Sequence, residues 1–243
     1  MNPPQPIADR LELARTIARE AGRLTLDFFG KADLAVERKL DDSPVTAADR
    51  GAEALLRERI EAAFPDDAIL GEELGERPGT SPYRWVLDPI DGTKSFITGV
   101  PLYTTLVGLL ERTPEGERSV AGVIYAPAID ERLYAATGGG AWHQIGSAPA
   151  TAAAVSSVDK LSDAVFLTSE VRSFTSDRSP DALGVYLELQ NGARLSRTWG
   201  DAYGYMLVAT GRAEVMVDPV LCLWDTAALQ PILEEAGGTF TDW

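Results

Sequence analysis

Trp85-Val86-Leu87-Asp88-Pro89-Ile90-Asp91-Gly92-Thr93 is the stretch on which the reading of this chain turns. An apolar run ends in two carboxylates three positions apart, with Pro89 between them and Gly-Thr behind. Pro89 has no N–H to give to a ladder and fixes its own φ, so a strand should break there. The chain should then turn through Gly92 into a short helix starting near Thr93. Two acids, a backbone carbonyl and a helix start are thereby brought to one point. Carboxylate and carbonyl oxygens suit a hard cation such as Mg²⁺. The N–H groups of a helix start suit an anion such as phosphate. A site holding both is built for metal-assisted phosphate chemistry.

Working outward, residues 8–29 repeat apolar positions at helical spacing (Leu11, Ala14, Ile17, Ala18, Ala21, Leu24), and Gly30 stands where a helix should stop. Residues 40–45 read as a loop. Thr46 and Asp49 form a Thr-x-x-Asp capping pair ahead of a second helix, which Pro65 should end near Phe64. Ala68–Gly71 predicts a short strand that delivers Glu72 and Glu73, and residues 74–82 a Gly/Pro loop. Strands are expected over 103–110, 120–125 and 132–136, with turns at 114–116 and 127–130. Gly138-Gly139-Gly140 predicts a turn between sub-domains. The second half alternates: strand 165–168, helix 180–190, strand 194–195, helix 202–209, strand 213–217. A helix over 224–235, ended by Gly237-Gly238, then precedes a last strand from Thr239. The pattern predicts a layered α/β protein. It reads as one domain, 1–243, with approximate sub-domains 1–137 (metal and phosphate site) and 138–243 (substrate pocket and last metal ligand).

The 243 residues are 45% hydrophobic, enough for a sizeable core, and carry a net charge of −15 with a pI of about 4.5. Such a chain repels a phosphate-coated polymer, so no nucleic-acid partner is expected, although a bound metal reverses the sign locally. The single cysteine, Cys222, leaves no internal disulfide and fits a reducing compartment. Between Leu221 and Leu223 it reads as a small core residue. The start lacks the basic and apolar regions of a signal peptide, and no segment is long and apolar enough to span a bilayer, so a cytoplasmic protein without a membrane partner is expected.

Five acids end strands or start helices: Asp49, Glu72, Asp88, Asp91 and Asp225. Asp49 and Asp225 read equally as helix caps. Asp88 and Asp91 together do not, because two buried unpaired carboxylates are costly without a cation. Asp201, before Ala202, reads as a helix cap, and Asp218, before Pro219, as a turn residue. His143, the sole histidine, reads as structural.

Gly71-Glu72-Glu73, then Asp88-Pro89-Ile90-Asp91-Gly92-Thr93, then Trp224-Asp225-Thr226-Ala227-Ala228 resemble the three signatures of the inositol monophosphatase superfamily, lithium-sensitive Mg²⁺-dependent phosphatases. The resemblance implies a five-layer αβαβα sandwich, as in fructose-1,6-bisphosphatase. It implies that Glu72, Asp88, Asp91, Asp225 and the Ile90 carbonyl ligate two or three Mg²⁺ ions, with Mn²⁺ as a substitute. Thr93 and Asp49 would form a dyad on the attacking water, with Glu72 also catalytic. The amides of Gly92 and Thr93 would hold phosphate. It also implies a homodimer.

Lys94-Ser95-Phe96-Ile97, Arg197-x-Trp199-Gly200-Asp201-Ala202-Tyr203-Gly204 and Val208-Ala209-Thr210-Gly211-Arg212 resemble the histidinol-phosphate phosphatase branch. That implies L-histidinol phosphate, a small phosphate monoester, as substrate. Asp201 and Asp218 would then face its ammonium and imidazole end, away from the metals, and Asp91, a metal ligand, would also touch the substrate. The alternatives are an inositol-1-phosphate phosphatase, a 3′-phosphoadenosine 5′-phosphate phosphatase, and a catalytically silent metal-binding relative. The family usually continues beyond the Gly237-Gly238 region with a strand and a helix, which this sequence is expected to lack.

Overall fold

The computed structural model describes residues 3–31, 35–38, 44–176 and 182–242. In chain order its elements are α1 (Gln5–Leu26), β1 (Val36–Arg38), β2 (Pro44–Thr46), α2 (Ala47–Ala63), β3 (Ala68–Gly71), β4 (Gly75–Arg77), β5 (Tyr83–Asp91), α3 (Thr93–Ile97), β6 (Thr104–Thr113), β7 (Gly116–Ala126), β8 (Glu131–Ala136), β9 (Ala141–Ile145) and β10 (Thr151–Ala152). There follow β11 (Val165–Leu167), α4 (Ser173–Ser176), α5 (Ala182–Gly192), β12 (Leu195–Arg197), α6 (Ala202–Ala209), β13 (Val215–Met216), α7 (Leu223–Thr226) and α8 (Leu229–Glu235).

Burial explains the layering. The alternate faces of one eight-stranded sheet, ordered β10-β9-β8-β7-β6-β5-β3-β4, each carry an apolar set. One set (Trp85, Leu87, Val107, Leu109, Val123, Tyr125) packs on Ile17, Ala21, Leu56 and Ile60 of α1 and α2. The other (Leu106, Ile124, Leu133, Ala135) packs on Tyr205, Met206, Leu229, Ile232 and Leu233 of α6 and α8. Beyond α6 lies a three-stranded parallel sheet, β12-β11-β13, with Val165 and Leu167 against Leu207. Its far face carries Phe166 against Phe174, Ala182 and Tyr186 of α4 and α5. Helix, sheet, helix, sheet and helix form the five-layer sandwich. Among the described residues no helix is long and apolar enough to cross a membrane.

Several expectations need correction. The 74–82 loop contains an edge strand, β4, pairing antiparallel with β3. The turn at Gly138–Gly140 does not end the large sheet, because β9 and β10 extend it to Ala152, well past the expected sub-domain boundary. The expected 224–235 helix is two pieces broken at Ala227–Ala228. Pro231 has no N–H for the Ala227 carbonyl, and the broken backbone presses onto the sheet at Gly108 and Gly122, where a Cβ would lie 2.7 Å from Ala227 Cβ and 2.1 Å from the Ala228 carbonyl oxygen. Residues 239–242 form no strand, and Cys222 is exposed, not core. Of the 40–45 loop, residues 40–43 lie outside the described residues and Pro44–Val45 belong to β2; Pro180, the expected start of a helix, is also outside them.

Candidate metal and phosphate site

The site forms where β5 fails. From Trp85 onward every residue of β5 is buried, and the ladder to β6 shifts register between Asp88 and Asp91. Pro89 causes the shift by withholding a donor. Its carbonyl instead accepts the Thr105 hydroxyl (2.9 Å), and the Ile90 N–H donates to Asp88 Oδ1 (3.0 Å). Asp91 accepts the Thr104 hydroxyl (3.0 Å) and the Ala202 N–H at the start of α6 (2.7 Å). Gly92 then takes φ 82° and ψ 44°, glycine's territory, and opens α3. The Thr93 hydroxyl donates to the Ile90 carbonyl (3.2 Å).

Two further segments converge on this corner. Glu72 leaves β3 beside β5, its N–H donating to the Leu87 carbonyl (3.1 Å). The turn after it is held by Glu53, 0% exposed, which accepts the N–H groups of Glu73 (2.8 Å) and Leu74 (3.2 Å) and pairs with Arg57 Nε (2.7 Å). One helical turn earlier on α2, Asp49 completes the expected cap, accepting the Thr46 N–H (2.8 Å) and hydroxyl (2.6 Å). Asp225, in the first turn of α7, accepts the Cys222 N–H (2.6 Å). Both are therefore caps, and both also belong to the acidic corner.

Asp88, Asp91 and Asp225 each present a carboxylate oxygen within 4.8 Å of the others. Asp88 is 2% exposed and Asp91 9%. Burial first, then the charges of Glu72, Asp91 and Asp225, push the Asp88 carboxyl well above its ordinary range. Burial, then Asp201 and Asp225, do the same to Asp91 against the donors Ala202 and Thr104. Burial lifts Asp225 to about 7. Asp49 is raised by burial, with Glu72 contributing and the Thr46 bonds opposing. Acids that repel one another this strongly while excluded from water fit a divalent cation by charge, and their all-oxygen donor set fits a hard one.

A cavity of about 360 Å³ opens over these groups, walled also by Lys94, Ser169, Glu170, Asp201 and Tyr205. Asp201 stands at the N-cap of α6 without a side-chain capping bond. Its carboxylate instead lies over Gly92, where a Cβ would fall 2.6 Å from Oδ2. It is thus beside the acids Asp91 and Asp225, not remote from them. Burial, then Asp218, lift it to about 6. Asp218 accepts Ser169 N–H (2.8 Å), Ser169 Oγ (2.9 Å), Tyr205 Oη (3.2 Å) and Thr168 Oγ1 (3.3 Å). That is the environment of an internal brace more than of a substrate contact.

With the geometry fixed, likeness to known proteins carries weight. The family model described as "Inositol monophosphatase family" matches residues 8–243. The chain belongs to that family. Its members are metal-dependent phosphatases, and this chain is one of their kind. The histidinol-phosphatase of Chlorobaculum parvum is 46% identical over 96% of this chain and 85% of its own length. That of Streptomyces coelicolor is 41% identical over 96% and 86%. The solved structure of an inositol monophosphatase from Zymomonas mobilis superposes with a TM-score of 0.79 at 33% identity, over 95% of this chain and 84% of that one.

The structure brings Glu72, Asp88, Ile90, Asp91, Gly92, Thr93, Asp201, Asp218 and Asp225 to the walls of one cavity. Asp49 stands behind, and no hydrogen bond joins it to Thr93. Sequence reasoning missed Glu53, Thr104 and Ser169. Glu53 alone left a trace: an acid one helical turn after Asp49, on the face that α2 buries. His143, expected to be structural, lies outside the cavity wall and donates to the Glu131 carboxylate (2.7 Å).

Proposed function

We propose that the chain is a Mg²⁺-dependent hydrolase of L-histidinol phosphate, releasing L-histidinol and phosphate. The observation that carries this reading is the Asp201 carboxylate over Gly92. In histidinol phosphate the ammonium sits on the carbon next to the ester CH₂, so a cation-binding carboxylate should adjoin the phosphate subsite, as Asp201 does. Inositol 1-phosphate has a hydroxyl there and offers no charge to a buried acid. The two histidinol-phosphatases similar to this chain support the same choice.

Glu72, Asp88, Asp91, Asp225 and the Ile90 carbonyl would hold the cations. Bound Mg²⁺ would neutralise phosphoryl oxygens, acidify the attacking water and stabilise the leaving alkoxide. The N–H groups of Gly92 and Thr93 would hold the phosphoryl group, and the Thr93 hydroxyl, fixed on the Ile90 carbonyl, would orient the water. Asp49, its carboxyl held up by burial, would accept the proton through Glu72 or solvent, since it makes no direct bond to Thr93. Mn²⁺ would substitute and Li⁺ would inhibit. The working form would be a homodimer, read by light scattering as twice 26.1 kDa.

The test is phosphate release from histidinol phosphate, inositol 1-phosphate and 3′-phosphoadenosine 5′-phosphate at equal Mg²⁺. The expected result is the highest kcat/KM on histidinol phosphate. A preference for inositol 1-phosphate would sink the substrate assignment and leave the phosphatase in place.

A further inference from the structure

Asp201 is one of two non-glycine residues with positive φ among the described residues. The other, Asp130, sits at φ 49° and ψ 46°, the left-handed well that aspartate tolerates. Asp201 has φ 41° and ψ −149°, outside that well and suited to glycine. Strain of this kind persists only where the surroundings impose it. Left to itself, an Asp at an N-cap relaxes to extended backbone and turns its carboxylate onto the first amides of its helix. Here it makes no such bond.

One hydroxyl does the imposing. Ser169 Oγ accepts the Asp201 N–H (3.0 Å) and donates to Asp218 Oδ2 (2.9 Å), while the Ser169 N–H holds Asp218 Oδ1 (2.8 Å). Tyr205, on α6 itself, donates to the same Asp218 Oδ2 (3.2 Å). The preceding residue must be Gly200, because a Cβ there would lie 2.4 Å from Ser169 Cα. The backbone before Asp201 is thus pressed against Ser169 and pinned by it.

We propose that Ser169, anchored by Asp218, is a positioning residue for substrate selection: it denies Asp201 its cap and holds the carboxylate over the phosphate subsite. This rests on the reading that Asp201 meets the substrate's ammonium. Without the Ser169 hydroxyl, Asp201 relaxes into the cap, and the enzyme loses its preference for a cationic ester while its metal acids stay in place.

The test is a double-mutant cycle of Ser169→Ala and Asp201→Asn, read as the ratio of kcat/KM on histidinol phosphate to that on inositol 1-phosphate. Ser169→Ala should lower the ratio about tenfold, the worth of one charge-assisted contact, mainly through KM. The double variant should fall no further than Asp201→Asn alone. Additive losses, or equal loss on both substrates, would overturn the proposal. A second readout does not depend on the substrate. Asp201→Gly should raise Tm by about 2–4 °C through relief of strain, and by less in the Ser169→Ala background, where the strain is already relaxed. If Asp201→Asn leaves the ratio unchanged, the substrate reading fails, and the Tm cycle then decides the clamp: equal rises in both backgrounds refute it. Ser169→Cys, of similar volume with a weaker hydrogen bond, replaces Ser169→Ala should the latter fail to fold.

Discussion

Asp88→Asn should reverse sign between metal-free and metal-loaded protein. In EDTA, Asp88, Asp91 and Asp225 face one another within 4.8 Å. At an effective dielectric constant near 20, each fully ionised pair at that distance costs about 3 kcal/mol. Protonation relieves part of this: burial first, and these repulsions after it, raise the Asp88 carboxyl. An amide at position 88 removes the charge outright and keeps the shape, so metal-free stability should rise by about 1–3 kcal/mol, or roughly 2–12 °C in Tm for a chain of this size. With Mg²⁺ at a hundred times its dissociation constant, the wild type gains about 2.7 kcal/mol by mass action. The variant, lacking this carboxylate, should gain little. Differential scanning calorimetry at pH 8, with EDTA and with Mg²⁺, reads both. The Tm order should invert: variant above wild type in EDTA, below it in Mg²⁺. A variant less stable than wild type in EDTA, or one that keeps the full Mg²⁺ shift, would refute the claim that this cluster is a cation site.

Other outcomes follow from the same geometry. Thr93→Ala should lower kcat by about 10²–10⁴-fold with little change in KM, as for lost help in activating the water; a rise in KM at constant kcat would make Thr93 a ground-state binder. Gly71→Ala would place a Cβ 1.9 Å from Glu53 Oε1. Displacing that carboxylate should weaken Mg²⁺ binding measured by calorimetry and cost about 1–3 kcal/mol in denaturant melts. The pH dependence has a definite sign. Asp225 (about 7), Asp201 (about 6), Asp88 and Asp91 all hold protons more tightly folded than unfolded. Their contribution in the metal-free protein is intact below about pH 4 and is lost as pH rises through 6–7. The Tm gap between Mg²⁺ and EDTA should therefore widen from pH 5 to pH 8; a constant gap would contradict the assignment.

Asp88, Asp91 and Asp225 were legible because local chemistry marks them. A proline inside a strand forces the bulge at 88–91, and an acid beside Trp224 ahead of an Ala-rich run reads as a first-turn cap. The layers were legible because helical and alternating apolar spacings name the faces that must be buried. What escaped depends on contacts between distant segments. Glu53 is an ordinary helix acid until β3 brings Glu73 and Leu74 over it. Asp201 reads as a cap until Ser169, thirty-two residues earlier, takes its N–H. Asp218 reads as a turn residue until four donors close on it. The break at Ala227–Ala228 was written in Pro231, but its purpose, close approach to Gly108 and Gly122, appears only in three dimensions.

If these buried acids hold the catalytic cation, hydrolysis of an ammonium-bearing phosphate monoester depends on it. Phosphate release from histidinol phosphate by the purified chain, stripped with EDTA and then resupplied with Mg²⁺, tests it most directly. The expected result is no turnover after stripping and full recovery with Mg²⁺. Sustained turnover in excess EDTA, or none in saturating Mg²⁺, would contradict it.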